Sequence, residues 1–214
     1  MNWKEKFARL VLVLILAISL AVRFYKIDNP IADWHSWRQA DTAAVARNFL
    51  KFGFTPFYPR YDDLSNVQSG KDNPLGLRMV EFPLYQSLAF FFYNLYPKLP
   101  IETDLRLVSI FFSLLSMFFL YSLVKKYDGV TSALLTVGVF GFLPYSIYYS
   151  RAILPEMTAV GLALGAIYFL DSVIGLWTSP KIPISGSRDQ NDGKKYILFV
   201  LSAVFSAAAL LVKP

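Results

Sequence analysis

Long apolar runs separated by short charged turns dominate the second half of the chain. Residues 107–124, 130–149, 157–177 and 196–212 each approach the about 20 helical residues needed to cross roughly 30 Å of hydrocarbon. A fifth run, 10–22, is shorter, but Arg9 and Arg23 flank it and can extend it by snorkelling, which gives a first span over 7–25. The competing reading of that run is a cleaved signal peptide, with a basic start, an apolar core and Ser19-x-Ala21 as the small-residue site. On either reading the segment that follows is exported.

Two shorter patterns lie between the first span and the second. Residues 83–96 begin at a proline and are dense in aromatics, among them Tyr85, Phe90, Phe91, Phe92, Tyr93 and Tyr96. That length and composition suit a helix at the membrane interface rather than a crossing. Earlier, residues 33–50 read DWHSWRQADTAAVARNFL. Ser36-Trp37-Arg38-Gln39 matches the S-x-x-Q capping box, so the pattern predicts a helix from near Trp37 to about Lys51, with Gly53 as its stop. The predicted fold class is therefore all-α: a polytopic membrane protein with one transmembrane domain over 1–214 and about five spans. Its long first loop, 26–106, carries juxtamembrane helices near 37–51 and 83–96. Residues 178–195 form a polar Gly/Ser/Pro-rich connector to which no chemistry is assigned.

Composition narrows the class. At 55% hydrophobic and 17% charged residues, with mean hydropathy +0.43, the chain is no ordinary soluble domain. The net charge of +6 does not point to nucleic acid, because most cations flank apolar runs and so act as topology signals. The absence of cysteine excludes disulfides and thiolate metal sites, and a single histidine argues against structural zinc. Lys4, Lys6 and Arg9, then Lys125 and Lys126, then Lys181, Arg188, Lys194 and Lys195 mark the cytoplasmic side. Five crossings then put 24–106, 150–156 and Lys213 on one exoplasmic face of a cell (inner) membrane. Asp41, Glu81 and Glu156 are gathered there.

Each candidate has a plain structural reading beside the chemical one. Asp41 follows Arg38 by three residues, a spacing that permits a surface ion pair worth a few tenths of a kcal/mol. Its neighbours Trp34, Trp37, Val45 and Phe49 also suit a partly desolvated, functional acid. His35 either hydrogen-bonds the exposed helix start or belongs to a site. Trp37 is an interface anchor or a platform for a sugar ring. Glu81, just before Pro83, reads as a cap-like residue at the positive helix end. Glu156 opens the next crossing after Pro155, and Arg151 before it is a cation able to meet a lipid phosphate. Lys213 is a snorkelling anchor by default, and Asp171, inside a span, calls for an interhelical partner. No P-loop, G-x-G-x-x-G, H-E-x-x-H or G-x-S-x-G motif occurs.

The ordered set of a long exoplasmic loop with a juxtamembrane acid, then E-F-P-L-Y, K-K-Y-D-G, P-Y-S-I-Y-Y-S-R-A-I-L-P-E and A-L-L-V-K-P resembles a known family. It is similar to the N-terminal half of C-superfamily glycosyltransferases that use polyprenyl-phosphate sugars, notably the family 39 protein mannosyltransferases and the lipid A aminoarabinose transferase. The resemblance implies a membrane enzyme that transfers a sugar from a polyprenyl-phosphate donor to an acceptor hydroxyl on a protein, lipid A or a glycan. It implies Asp41 and Glu156 as the catalytic acids, and His35, Trp37, Arg38, Glu81, Arg151 and Lys213 around the substrate or the lipid phosphate. The family often has Asp-Glu at the first-loop site, where this chain has Arg38-Gln39 and then Asp41, and its members are longer. Nothing in the spacing of Glu81 and Glu156 demands a divalent metal, although the pair is able to help hold one. The alternative class is a non-catalytic membrane protein, a lipid-carrier transporter or a degenerate accessory subunit. A transporter would place its acids within the spans near the midplane, whereas here most lie in the outer loops.

Overall fold

A computed structural model of the protein describes residues 3–66, 70–178 and 191–213. Among these the chain is helical, with no strand beyond a single bridge between Arg60 and Leu77. The helices are α1 (Trp3–Phe24), α2 (Ser36–Phe52), α3 (Leu84–Leu95), α4 (Ile101–Phe142), α5 (Pro144–Tyr149), α6 (Glu156–Thr178) and α7 (Asn191–Val212). Four of them, α1, α4, α6 and α7, are long and apolar enough to cross a membrane. The connector expected at 178–195 falls largely on 179–190, outside the described residues, as do Lys181 and Arg188.

Helix α4 is a hairpin rather than a rod. Gly129 has φ 84° and ψ 179°, which breaks the helix within the K-K-Y-D-G turn. A straight helix would separate Met117 from Gly141 by about 36 Å at 1.5 Å per residue. Instead, Ser19 Oγ lies 3.5 Å from Met117 Sδ and 3.4 Å from the Gly141 carbonyl. Met117, Tyr121, Ala133 and Val137 form one buried cluster across the two arms, with Leu12 and Ile15 of α1 packed against it.

Arg23 does not snorkel. It is fully buried at the end of α1 and turns inward, donating to the carbonyls of Ser19 (2.9 Å) and Gly141 (3.0 Å) and to Ser113 Oγ (3.2 Å). The Gly141 carbonyl belongs to the last turn of α4, where unpaired carbonyls and the helix dipole favour a cation. The residue expected to extend the first span into water instead ties it to the α4 hairpin.

Helix α6 packs closely on both α4 and α7 through small residues. Gly161 sits against Phe112, where a Cβ would come within 2.9 Å of the ring, and Gly165 faces Phe205 and Phe119. Ser202 Oγ adds a hydrogen bond to the Ala166 carbonyl, 3.1 Å. Small residues four apart are a common way to bring membrane helices together. At the far end Asp171 finds the interhelical partner its position called for: Lys126 at 2.6 Å, with the Tyr127 hydroxyl also bonded to it.

The α3 helix has 12 residues, about 18 Å long, too short to cross. It packs on α4 and α2 instead, with Tyr85 and Ala89 in the main core beside Leu105, Val108 and Ile153. The buried Tyr85 hydroxyl donates to the Leu105 carbonyl, 2.7 Å. At this same end of the bundle Phe82 N bonds the Leu211 carbonyl, 3.1 Å. The ends of α1 and α7, the starts of α4 and α6, and the loops around α2 and α3 therefore meet.

Candidate functional site

The shared end begins with how α2 is held. The predicted capping box does not form: His35 is the N-cap, in a left-handed conformation (φ 58°), with no side-chain cap bond. Gln39 is drawn inward, fully buried. Its amide nitrogen donates to Asp33 Oδ1 (2.6 Å) and the Trp34 carbonyl (3.0 Å), and its oxygen accepts from Ile153 N (2.9 Å). A buried amide is costly unless both its donor and its acceptor find partners, whereas water can serve a solvated helix start. Gln39 thus pins the loop before α2 to the loop before α6. The motif pointed to the right helix but the wrong partner.

The loop 53–83 is fastened to α2 in the same way. Asn48 Nδ2 donates to the Arg60 carbonyl (3.1 Å) and Asp62 (3.2 Å), and Arg47 reaches Glu102 (2.9 Å) and Asp62 (3.2 Å). Asn73 brackets the turn at Leu77, and Gly76 (φ 60°) lies so close to the Tyr61 carbonyl that a Cβ would meet it at 2.6 Å. Only glycine suits both that φ and that approach. The turn delivers Arg78, whose backbone N bonds the Pro59 carbonyl at 2.8 Å.

Arg78 is the partner of Asp41, at 2.9 Å across 37 residues. The expected Arg38–Asp41 pair is absent; Arg38 turns to Glu156 at 3.3 Å. Lys213 joins Glu156 from the end of α7, 2.6 Å away. Glu81 lies among these charges, within electrostatic reach of Arg38, Arg78, Glu156 and Lys213. It does not cap α3, whose N-cap is Pro83 with no side-chain bond. Burial is the largest influence on Glu81 and lifts its carboxyl above the usual glutamate range, against the opposing pull of the neighbouring cations.

Asp41, Glu81 and Glu156 thus alternate with Arg38, Arg78 and Lys213. Three buried polar atoms of this group have no hydrogen-bond partner: Arg78 Nε, Glu81 Oε1 and Glu156 Oε2. Unsatisfied buried groups are costly and mark places where a ligand or water completes the bonding. Among the described residues no group of three or more His, Asp or Glu side chains is arranged to hold a metal ion. Cations already occupy the approaches to these carboxylates. Beside the group an apolar groove of about 360 Å³ runs between the loop and α7, lined by Phe57, Met79, Glu81, Phe82, Leu210 and Leu211.

The other expected residues lie apart. Trp37 is 67% exposed, while His35 stacks on Trp34 with centroids 5.2 Å apart. Arg151 does not join Glu156, five residues on; it bonds the Tyr25 carbonyl and lines a separate cavity with Lys26 and Arg106. Sequence reasoning missed Gln39 as a clamp and Arg78 altogether, since nothing local to Arg78 signals an acid on α2.

Comparison with protein-family models, curated proteins and solved structures found no match. The fold and the hydropathy define the class: an all-helical protein with four helices suited to crossing a membrane.

Proposed function

We propose that this chain is, or forms part of, a membrane glycosyltransferase that moves a sugar from a polyprenyl-phosphate donor to an acceptor hydroxyl on the exoplasmic face. The observation that carries this reading is the charged group of Asp41, Glu81 and Glu156 with Arg38, Arg78 and Lys213, set beside an apolar groove. Counting the first arm of α4 as one crossing, and its second arm continued by α5 across the break at Leu143 as another, gives five crossings, with the lysines of the opposite end in the cytoplasm.

In the reaction the acceptor oxygen attacks the anomeric carbon and its proton passes to Asp41. Arg78 holds Oδ2 of that carboxylate, which leaves Oδ1 for the proton. The bond from the anomeric carbon to the phosphate oxygen breaks, and its electron pair leaves with the polyprenyl phosphate. Arg38, Arg78 and Lys213 stabilise that growing charge, and the groove receives the first isoprene units. Glu156 orients Arg38 and Lys213, and its unpaired Oε2 is free for a substrate hydroxyl. A positioned general base contributes about 10²–10⁴-fold, so Asp41→Asn in proteoliposomes should cut labelled-sugar transfer by at least about 100-fold with folding intact. Unchanged transfer removes Asp41 as the base.

A second reading is a non-catalytic partner that binds the lipid carrier. The ion pairs favour it, because Asp41 and Glu156 already have partners. Polyprenyl-phosphate binding in native mass spectrometry without any sugar transfer would select it.

A further inference from the structure

The cavity holding Arg151 gathers three cations, Lys26, Arg106 and Arg151, against one acid, Asp33. It encloses about 210 Å³ and is lined by Lys26, Asn29, Asp33, Arg106 and Arg151, together with Pro30 and Ala32. Arg106 is only 5% exposed. It commits one nitrogen, Nη1, to the carbonyls of Ile27 and Asn29, at 2.6 Å each. Arg151 commits its Nη1 to the Tyr25 carbonyl. The remaining guanidinium nitrogens of both have no hydrogen-bond partner among the described residues.

Arg106 lies within electrostatic reach of both Asp33, which attracts it more strongly, and Arg151, which repels it. Lys26 adds a third positive charge, its ammonium lying 5.4 Å from the Tyr25 ring centroid. Asp33 is the one acid in the lining, and its Oδ1 is bound by Gln39 at 2.6 Å. None of the three cations forms an ion pair with a carboxylate among the described residues; those pairs occur elsewhere. Lys26 and Asp33 face solvent and Arg151 is half-buried, but Arg106 is buried, and an anion in the cleft would offset the cations gathered around that buried guanidinium.

We infer that this cavity, at the end of α1, is a binding site for a phosphate group, separate from the Asp41–Glu156 charges and independent of the glycosyltransferase reading. Arginine forks match the tetrahedral oxygens of phosphate, and donors preset by backbone carbonyls lose little entropy on binding. The position, directly after a helix suited to crossing a membrane, admits either a lipid headgroup or free phosphate.

The test uses the whole chain in chloride buffer, with thermal unfolding followed against inorganic phosphate at constant ionic strength. A parallel series uses nanodiscs of phosphatidylcholine with and without phosphatidic acid. A ligand that binds only the folded state raises Tm in a saturable way. Lys26→Gln and Arg151→Gln should each weaken half-saturation about tenfold, the worth of one charge-assisted contact, and Lys98→Gln should leave it unchanged. Arg106 stays intact because it also holds the loop carbonyls. A response to phosphatidic acid alone identifies a lipid headgroup; a response to inorganic phosphate as well identifies free phosphate. Three results overturn the site: no stabilisation by either ligand, a response unchanged in both variants, or a response lost only in Arg38→Gln.

Discussion

Arg23 is a buried charge and Glu81 a half-buried one, and they differ in how they are compensated. Arg23 has no carboxylate partner; carbonyls and serine hydroxyls surround it. Arg23→Ala should therefore lower stability by about 3 kcal/mol, since it strands several buried acceptors, and denaturant titration in detergent micelles measures this. Glu81 has cations nearby but no bond to Oε1. Because its carboxyl is raised in the folded state, folding favours the proton, so its contribution is fully present below the ordinary glutamate value and is lost as pH rises above it. The Tm gap between wild type and Glu81→Gln should thus shift against wild type as pH rises from 4.5. A pH-independent gap would contradict the raised carboxyl. Gln39 shows the limit of local reading: its spacing from Ser36 is that of a cap, but burial between the loops before α2 and α6 decides its partners.

At the scale of elements, apolar runs located the long helices, and Pro83 and Gly53 marked local boundaries, but the span expected at 130–149 breaks at the extended Leu143, where Pro144 opens the separate helix α5. Gly129 shows how one backbone position turns a 42-residue helical stretch into two packed arms. The close approach of α6 to α4 and α7 was less legible, because Gly161 and Gly165 carry meaning only once Phe112 of α4 and Phe205 of α7 are known to face them. Gly165→Leu should cost about 1–3 kcal/mol by overpacking, seen as a lower Tm. Gly138→Leu should have little effect, because a Cβ at that position would meet nothing within 4 Å.

For the whole molecule, the two ends differ in character. One gathers Asp41, Glu81, Glu156 and their cations; the other carries Lys126 with Asp171 at the α4 turn. The chain has no cysteine, so single substitutions report topology directly. Leu64→Cys and Lys125→Cys should react with an impermeant maleimide from opposite sides of sealed vesicles; labelling from one side would reject the five-crossing arrangement. The sequence by itself determined the helical class, the membrane-crossing lengths and the presence of acids between the apolar runs, because hydropathy and helix period are local properties. Only the tertiary structure decided that Arg78 meets Asp41, that Arg38 leaves Asp41 for Glu156, and that Arg151 belongs to another cavity. Ion-pair choice depends on which side chains long-range packing brings within a few ångströms, and residues 37 or 57 apart carry no local trace of that.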